Sequence, residues 1–194
     1  IAAEAVRQAG KTFANAIGTF HEELLGGLSG LKRYVHAGYD LKSDDDLIFA
    51  EVKNKFNTMN SSAEQAVFNK LAALANAHPL ATCYLVQVIA RESINALWKP
   101  SGDPKTRPPE GNQHPRVRII SADRFYELIT GDPDAFARLC KALPSAAKHY
   151  LSTAVNKKHI VLGPQAALGR LVAEDDSGIL SVLERLTFKG YRGF

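Results

Sequence analysis

The ten residues Ala81–Ala90, ATCYLVQVIA, constrain the fold more than any other stretch of the chain. They form an almost continuous apolar run of β-forming side chains. A strand with one wet face alternates apolar and polar residues, so a run that is apolar at both parities needs cover on both sides. It predicts a central strand in a layered sheet.

The segments around it read as helices and short strands. Alanine-rich Ala2–Leu25 places Ala5, Phe13, Ile17, Phe20 and Leu24 at helical spacing, and Gly26-Gly27 stops it, with a glycine-rich turn to about Gly30. Two extended runs, Gly38–Ser43 and Leu47–Lys55, flank Asp44-Asp45-Asp46 and predict a β-hairpin. Ser61 and Ser62, followed three residues later by Glu64 and Gln65, form a capping-box pattern. The helix they open carries Val67, Phe68, Leu71, Leu74 and Ala75 on one face and ends before Pro79. Trp98–Pro115 holds five of the nine prolines and reads as a long loop; Arg116–Ile120 is another strand. Ser121 then caps a helix over Asp123–Ile129, Gly131-Asp132-Pro133 breaks it, and further helices are expected over about Asp134–Tyr150 and Ile179–Leu186. The order α–β–β–α–β–(loop)–β–α–α describes an α/β fold with a mixed central sheet flanked by helices.

Length and composition narrow the class. At 194 residues the chain predicts a single domain, with a helical part over 1–30, a core over 38–150 and a helical extension over 151–194. Apolar residues at 45% and charged residues at 23% exclude disorder, collagen-like repeats and coiled coil as the main organisation. No run of about 18 apolar residues exists to span a membrane. Cys83 and Cys140 lie in apolar surroundings without metal-ligand spacing and read as reduced, buried thiols of a cytoplasmic protein. There is no secretory signal, and the chain opens on Ile1, so further residues are expected upstream. The net charge of +4 favours an anionic partner.

Within this basic chain, Asp40–Glu51 holds five carboxylates, Asp40, Asp44, Asp45, Asp46 and Glu51. The triplet is the solvated turn of the hairpin, but Asp40 and Glu51 lie in its strands. A turn at Asp45-Asp46 sets Asp44 against Leu47 and Asp40 against Glu51. Tyr39 and Leu41 then share a buried face with Ile48, Ala50 and Val52, while Asp40, Glu51 and Lys53 share the other. Opposed carboxylates repel each other unless a cation joins them, so the pattern anticipates a divalent metal, and their pKa values are expected to rise together without it. A lysine two residues after the acid falls on the same side and can hold an attacking water or neutralise phosphate charge. Three acid-x-Lys patterns occur, at Asp40, Glu51 and Asp103, but only Glu51-Val52-Lys53 has both an acid on a preceding strand and a capped helix after it.

Asp40 with Glu51-Val52-Lys53, in a helix–hairpin–helix–strand order, resembles the PD-(D/E)xK nuclease superfamily, with Tyr39 in place of the proline. The stretches IGTFHEELLGG (Ile17–Gly27), IFAEVKNKFNTMNSS (Ile48–Ser62), HPRVRIISADRFYELITG (His114–Gly131) and the terminal YRGF resemble the GGNCC-cutting type II restriction endonucleases. The resemblance covers most of Ile17–Leu151 and is weak through Ser152–Thr187. It implies Asp40 and Glu51 as Mg²⁺ ligands, Glu22 of the first helix as a further ligand, and Lys53 as the third member of the catalytic centre. It also implies double-stranded DNA as substrate and a twofold homodimer on a near-palindromic site. A cognate DNA methyltransferase would share that site without needing to bind the nuclease.

DNA contacts are expected from the polar segment after the catalytic strand, Lys55, Asn57, Asn60 and Ser61 among them, and from Arg116 and Arg118. The last two lie in a stretch, Lys99–Arg124, with six basic residues against three acidic ones. Rival readings are a repair or junction-resolving nuclease with the same core, and a non-cleaving DNA-binding module.

Overall fold

The apolar run forms the inner strand Thr82–Ile89 (β4) in a computed structural model that describes residues 21–28, 30–34, 38–100, 113–142 and 188–191. Ile48–Lys55 (β3) and Val117–Ser121 (β6) pair with it on either side, both parallel to it. Leu41–Ser43 (β2) and Leu31–Arg33 (β1) extend the sheet antiparallel beyond β3, and Asn95–Leu97 (β5) closes the other edge antiparallel to β6. The strand order is β1-β2-β3-β4-β6-β5, a mixed sheet of the expected α/β class. Residues 21–26 are helical (α1); Ser61–Ala77 is α2, Ala122–Thr130 is α3, and residues 135–142 are helical (α4).

Residues 17–125 make one compact unit; residues 1–16 and 126–194 make another, the boundary falling inside α3. In the first unit, α2 is the crossover that brings β4 back parallel to β3. Its Phe68, Leu71 and Ala75 pack with Phe49, Cys83, Leu85, Trp98 and Val117 in a core from which water is almost entirely excluded. The opposite sheet face, with Ala50, Val52, Tyr84 and Val86, is buried too, the Tyr84 ring lying 5.9 Å edge-on to Phe125. Cover on both sides is what the apolar parity of Ala81–Ala90 demands. In the second unit, the buried Phe136 ring collects Tyr126, Phe188 and Tyr191 at 5.4, 5.2 and 5.7 Å.

Several expectations need correction. β1 falls immediately after the predicted glycine turn and β5 just before the predicted proline loop. Both are three-residue edge strands, too short to show a hydrophobic period. The α2 cap is Asn60, whose side chain accepts the Ala63 N–H at 2.9 Å; Ser61 is already helical, so no capping box forms. Ser121 does not cap α3 but ends β6, its hydroxyl accepting from Ile94 N–H at 2.9 Å and bonded to Asp123. Gly131 stops α3 as expected, at φ +73° with its N–H on Glu127 O. The predicted helix over Ala2–Leu25 is described only from residue 21, and that over Asp134–Tyr150 only through residue 142. The helix at Ile179–Leu186 and most of the proline-rich loop, with Lys105 and Arg107, lie outside the described residues.

Candidate active site

The β2–β3 hairpin has the predicted register, Leu41 against Ala50 and Lys42 against Phe49. One residue further the ladder slips. The Asp40 N–H also donates to Ala50 O, at 2.9 Å, so two residues face one, as in a bulge. The unbroken alternation that would set Asp40 squarely across from Glu51 therefore stops at Leu41. Tyr39 is turned by this slip onto the α2 side, its ring 5.1 Å from Phe49, rather than beside Leu41. Asp40 uses its carboxylate as a strand partner: Oδ2 accepts the Val52 N–H at 2.7 Å. The bond fixes the carboxylate beside the strand that carries Glu51 and Lys53.

Glu51 is 7% exposed, a buried carboxylate on the α2 face of β3. Each of its oxygens meets an ammonium: Oε1 lies 2.6 Å from Lys53 Nζ and Oε2 lies 2.6 Å from Lys70 Nζ. Burial works to raise the Glu51 carboxyl, but the hydrogen bonds and charges of the two lysines outweigh it and hold the group below its ordinary value. Asp40 moves the other way, up to about 6, through burial and the negative charges of Glu51 and Glu22, against the opposing Val52 hydrogen bond. The pair is thus split, not raised together: both ammoniums bond Glu51, whereas Asp40 is reached only by the smaller, longer-range attraction of Lys53, which burial and its acidic neighbours outweigh.

Glu22, on α1, pairs with Arg33 of β1 at 3.1 Å, and Glu23 meets the same guanidinium at 3.4 Å. α1 comes close to β1 here: a Cβ on Gly26 would stand 2.6 Å from Arg33 Cβ. His21 beside them is buried, and desolvation holds its pKa down to about 4.

Carboxylate oxygens from Asp40 and Glu51 are the hard donors that Mg²⁺ takes, one or two at a time with water completing its shell. Burial, with the charges of Glu51 and Glu22, raises the Asp40 carboxyl, and a divalent cation between the two acids would offset both, so the donor set fits one. Among the described residues no group of three His, Cys, Asp or Glu side chains stands ready to hold a metal ion, so Glu22 does not yet join Asp40 and Glu51.

The residues expected to touch DNA separate into two groups. Lys55 is the exposed end of β3, and Asn60 caps α2. Asn57 and Ser61 line a cleft of about 420 Å³ at the ends of β3 and β4, with Phe56, Gln87 and Arg91. Arg116 and Arg118 belong to the opposite end of the parallel strands. Arg116 Nη2 bonds the Ala75 carbonyl at the end of α2, and Arg118 is pinned to Asn95 at 2.7 and 2.8 Å. Sequence reasoning passed over Lys70 and Arg91. The usable signal for Lys70 was its place one residue before buried Leu71, on the flank of a helix that must cross back over β3. Arg91 stacks on Phe56 at 4.8 Å, and no spacing rule pointed to it.

The sequence profile of the Eco47II restriction endonuclease family matches residues 1–152. The type II restriction enzyme Sau96I of Staphylococcus aureus is 41% identical over 172 residues, covering 87% of this chain and 66% of that protein. The type II restriction enzyme Eco47II of Escherichia coli is 35% identical over 156 residues, covering 77% of this chain and 64% of that protein. The chain spans slightly less than two thirds of the length of either relative. No solved structure matches it significantly. With a hairpin acid, a strand acid-x-lysine and a profile match over most of its length, this chain belongs to the Eco47II restriction endonuclease family.

Proposed function

We propose that this chain is the nuclease part of a type II restriction endonuclease that hydrolyses phosphodiester bonds in double-stranded DNA with Mg²⁺. The carrying observation is the buried Glu51 on β3, with Lys53 on one oxygen and the Asp40 carboxylate fixed to the same strand by Val52 N–H. A buried, charged acid next to a second, half-buried one and a lysine is costly to fold and is characteristic of a working site.

Asp40 and Glu51 would hold the Mg²⁺, which when bound supplies positive charge to the phosphate and acidifies water. Lys53 Nζ keeps Glu51 ionised and aims its oxygen, and from the same position it can neutralise charge that builds on the phosphate during in-line displacement. The Val52 N–H keeps Asp40 from rotating away. Glu22 is a further candidate ligand, provided Arg33 releases it. Lys55, Asn57, Asn60 and Ser61 lie two to eight residues beyond Lys53, from the end of β3 to the start of α2, and would follow the DNA backbone; Arg91 extends that surface. Arg116 and Arg118, committed to protein partners, are the weaker candidates.

The reading includes a GGNCC recognition sequence, a twofold homodimer with one centre per strand, residues 38–150 as the catalytic core, and action in the cytoplasm beside a methyltransferase of the same specificity. Incubating plasmid DNA with and without Mg²⁺ and sequencing the fragment ends tests the cleavage, its metal dependence and the recognition sequence. Discrete fragments ending at GGNCC support it. A smear indicates a nonspecific nuclease, and a gel shift without cleavage indicates a DNA-binding module.

A further inference from the structure

Lys53 reaches Glu51 from the same strand. Lys70 reaches it from α2, across the space between helix and sheet, and its Nζ stands 2.6 Å from Oε2. Its aliphatic stem runs over Gly38, where a Cβ would lie 3.6 Å from Lys70 Cδ and 3.9 Å from Cγ. Gly38, at φ +83°, is two residues before Asp40, so the lysine passes the end of the hairpin on its way to Glu51.

We propose that Lys70 is a positioning residue of this centre, a resident cation that holds the second oxygen of Glu51 and yields it when a divalent cation binds. The proposal rests on the nuclease reading above. Three observations carry it. Both Glu51 oxygens already have an ammonium at 2.6 Å, so a dication approaching Oε2 meets a positive charge in its way. Among the described residues Asp40, the neighbouring carboxylate, has no ammonium hydrogen-bonded to it and accepts from the Val52 N–H. Lys70 is also the easier of the two lysines to displace: it is 34% exposed at the side chain against 28% for Lys53, and it is tethered from a separate element. A released ammonium on a long, half-exposed stem can be taken up by water or by a phosphate oxygen.

Lys70 therefore does for Glu51 before metal binding what the metal would do afterwards. It lets a buried Glu51 stay ionised and in place. The predicted signature is antagonism between the lysine and the metal.

The test is Mg²⁺ titration by calorimetry on the full DNA-free chain, comparing wild type, Lys70→Met, Lys70→Gln and Lys70→Arg, with Glu51→Gln as the reference for the site. Removing a like charge a few ångströms from the dication should tighten Mg²⁺ binding by roughly three- to tenfold in Lys70→Met and Lys70→Gln. Their metal-free melting temperatures should fall. Lys70→Arg, which keeps the charge, should restore both values towards wild type. If Lys70→Met fails to fold, Lys70→Gln, which can still hydrogen-bond Oε2, carries the same prediction.

Glu51-dependent Mg²⁺ binding that is unchanged or weaker in the uncharged variants would overturn the proposal and leave the nuclease reading standing. A wild type with no Glu51-dependent Mg²⁺ binding would remove both.

Discussion

In the turn of the hairpin, Asp44 pairs with Lys32 at 2.7 Å, Asp46 with Lys42 at 2.5 Å, and Asp45 accepts from Ser43 Oγ at 2.6 Å and Leu47 N–H at 3.1 Å. A few residues along the same two strands, Glu51 has two lysines to itself while the Asp40 carboxyl is pushed up to about 6 by burial and by its acidic neighbours. One hairpin thus holds a solvent-facing set of acids, each with its own partner, and a deeper pair, Asp40 and Glu51, whose partners are shared unevenly. An exposed acid can be satisfied by a neighbouring side chain or by water, and its loss is absorbed by water. The buried Glu51 draws one partner from its own strand and one from α2, and neither lysine bonds the half-buried Asp40. That uneven sharing is what makes the pair a fit for a divalent cation.

The largest effect expected from breaking this contrast is on the buried side. Lys53→Ala should lower DNA cleavage by at least about a thousandfold, since it removes both the charge near the phosphate and the anchor of Oε1. DNA affinity measured by fluorescence anisotropy in Ca²⁺ should change little. A variant that still cleaves within about tenfold of wild type would make the pair an ordinary ion bridge.

Asp40→Asn comes next. Cleavage should be lost, yet the metal-free protein should be as stable as wild type or more so. The pH dependence carries the sign. Asp40 holds its proton to about pH 6 when folded, against an ordinary value of 3.8, so the folded state retains a proton that the unfolded state has lost. Its stabilising contribution is complete below about pH 4 and disappears as pH rises through about 6. The stability advantage of Asp40→Asn should grow over that window and level off above it. Melts in chelator at pH 4.5 and 7.5 check this; a mutant that is destabilised equally at both would mark Asp40 as structural.

Arg116 sharpens the same distinction between matched and unmatched charge at the other end of the sheet. α2 has no basic residue in its last turn, and Arg116 of the neighbouring strand end supplies one to the Ala75 carbonyl. Arg116→Met should cost about 1–2 kcal/mol in urea unfolding and leave the salt dependence of DNA binding untouched. If instead the slope falls by about one unit with stability intact, Arg116 is a phosphate contact. The smallest effect belongs to the exposed triplet: Asp44→Asn should move the melting temperature by no more than about 1 °C and leave cleavage at the wild-type rate.

Much of this architecture is legible in the residues. The double-sided apolar parity of Ala81–Ala90 demands a covered inner strand, and β4 is one. The acidic triplet between two extended runs fixes the hairpin register as far as Leu41. Beyond that point local pattern stops being informative. The slip at Asp40 follows from Gly38 in the left-handed region and from a side chain replacing a backbone partner, neither of which alternation encodes. β1 and β5 are held by ladder bonds to strands already in place rather than by a period of their own. Lys70 is 19 residues from Glu51 and meets it only because α2 folds back over β3. Asn60 and Ser61 are both competent caps, and the sequence alone does not choose between them.

Cys83 gives the molecule a built-in clock. Its sulfur sits in the core beneath α2 with no exposure, and burial raises the thiol to about 11, so neither a reagent nor a hydroxide ion finds it while the sheet is closed. Cys140 is buried in the other compact unit. Alkylation can proceed only through opening, and each cysteine reports the unit that encloses it. Mass spectrometry of the two labelled peptides over time would give two separate opening rates from one unmodified chain, without a mutation or an added probe.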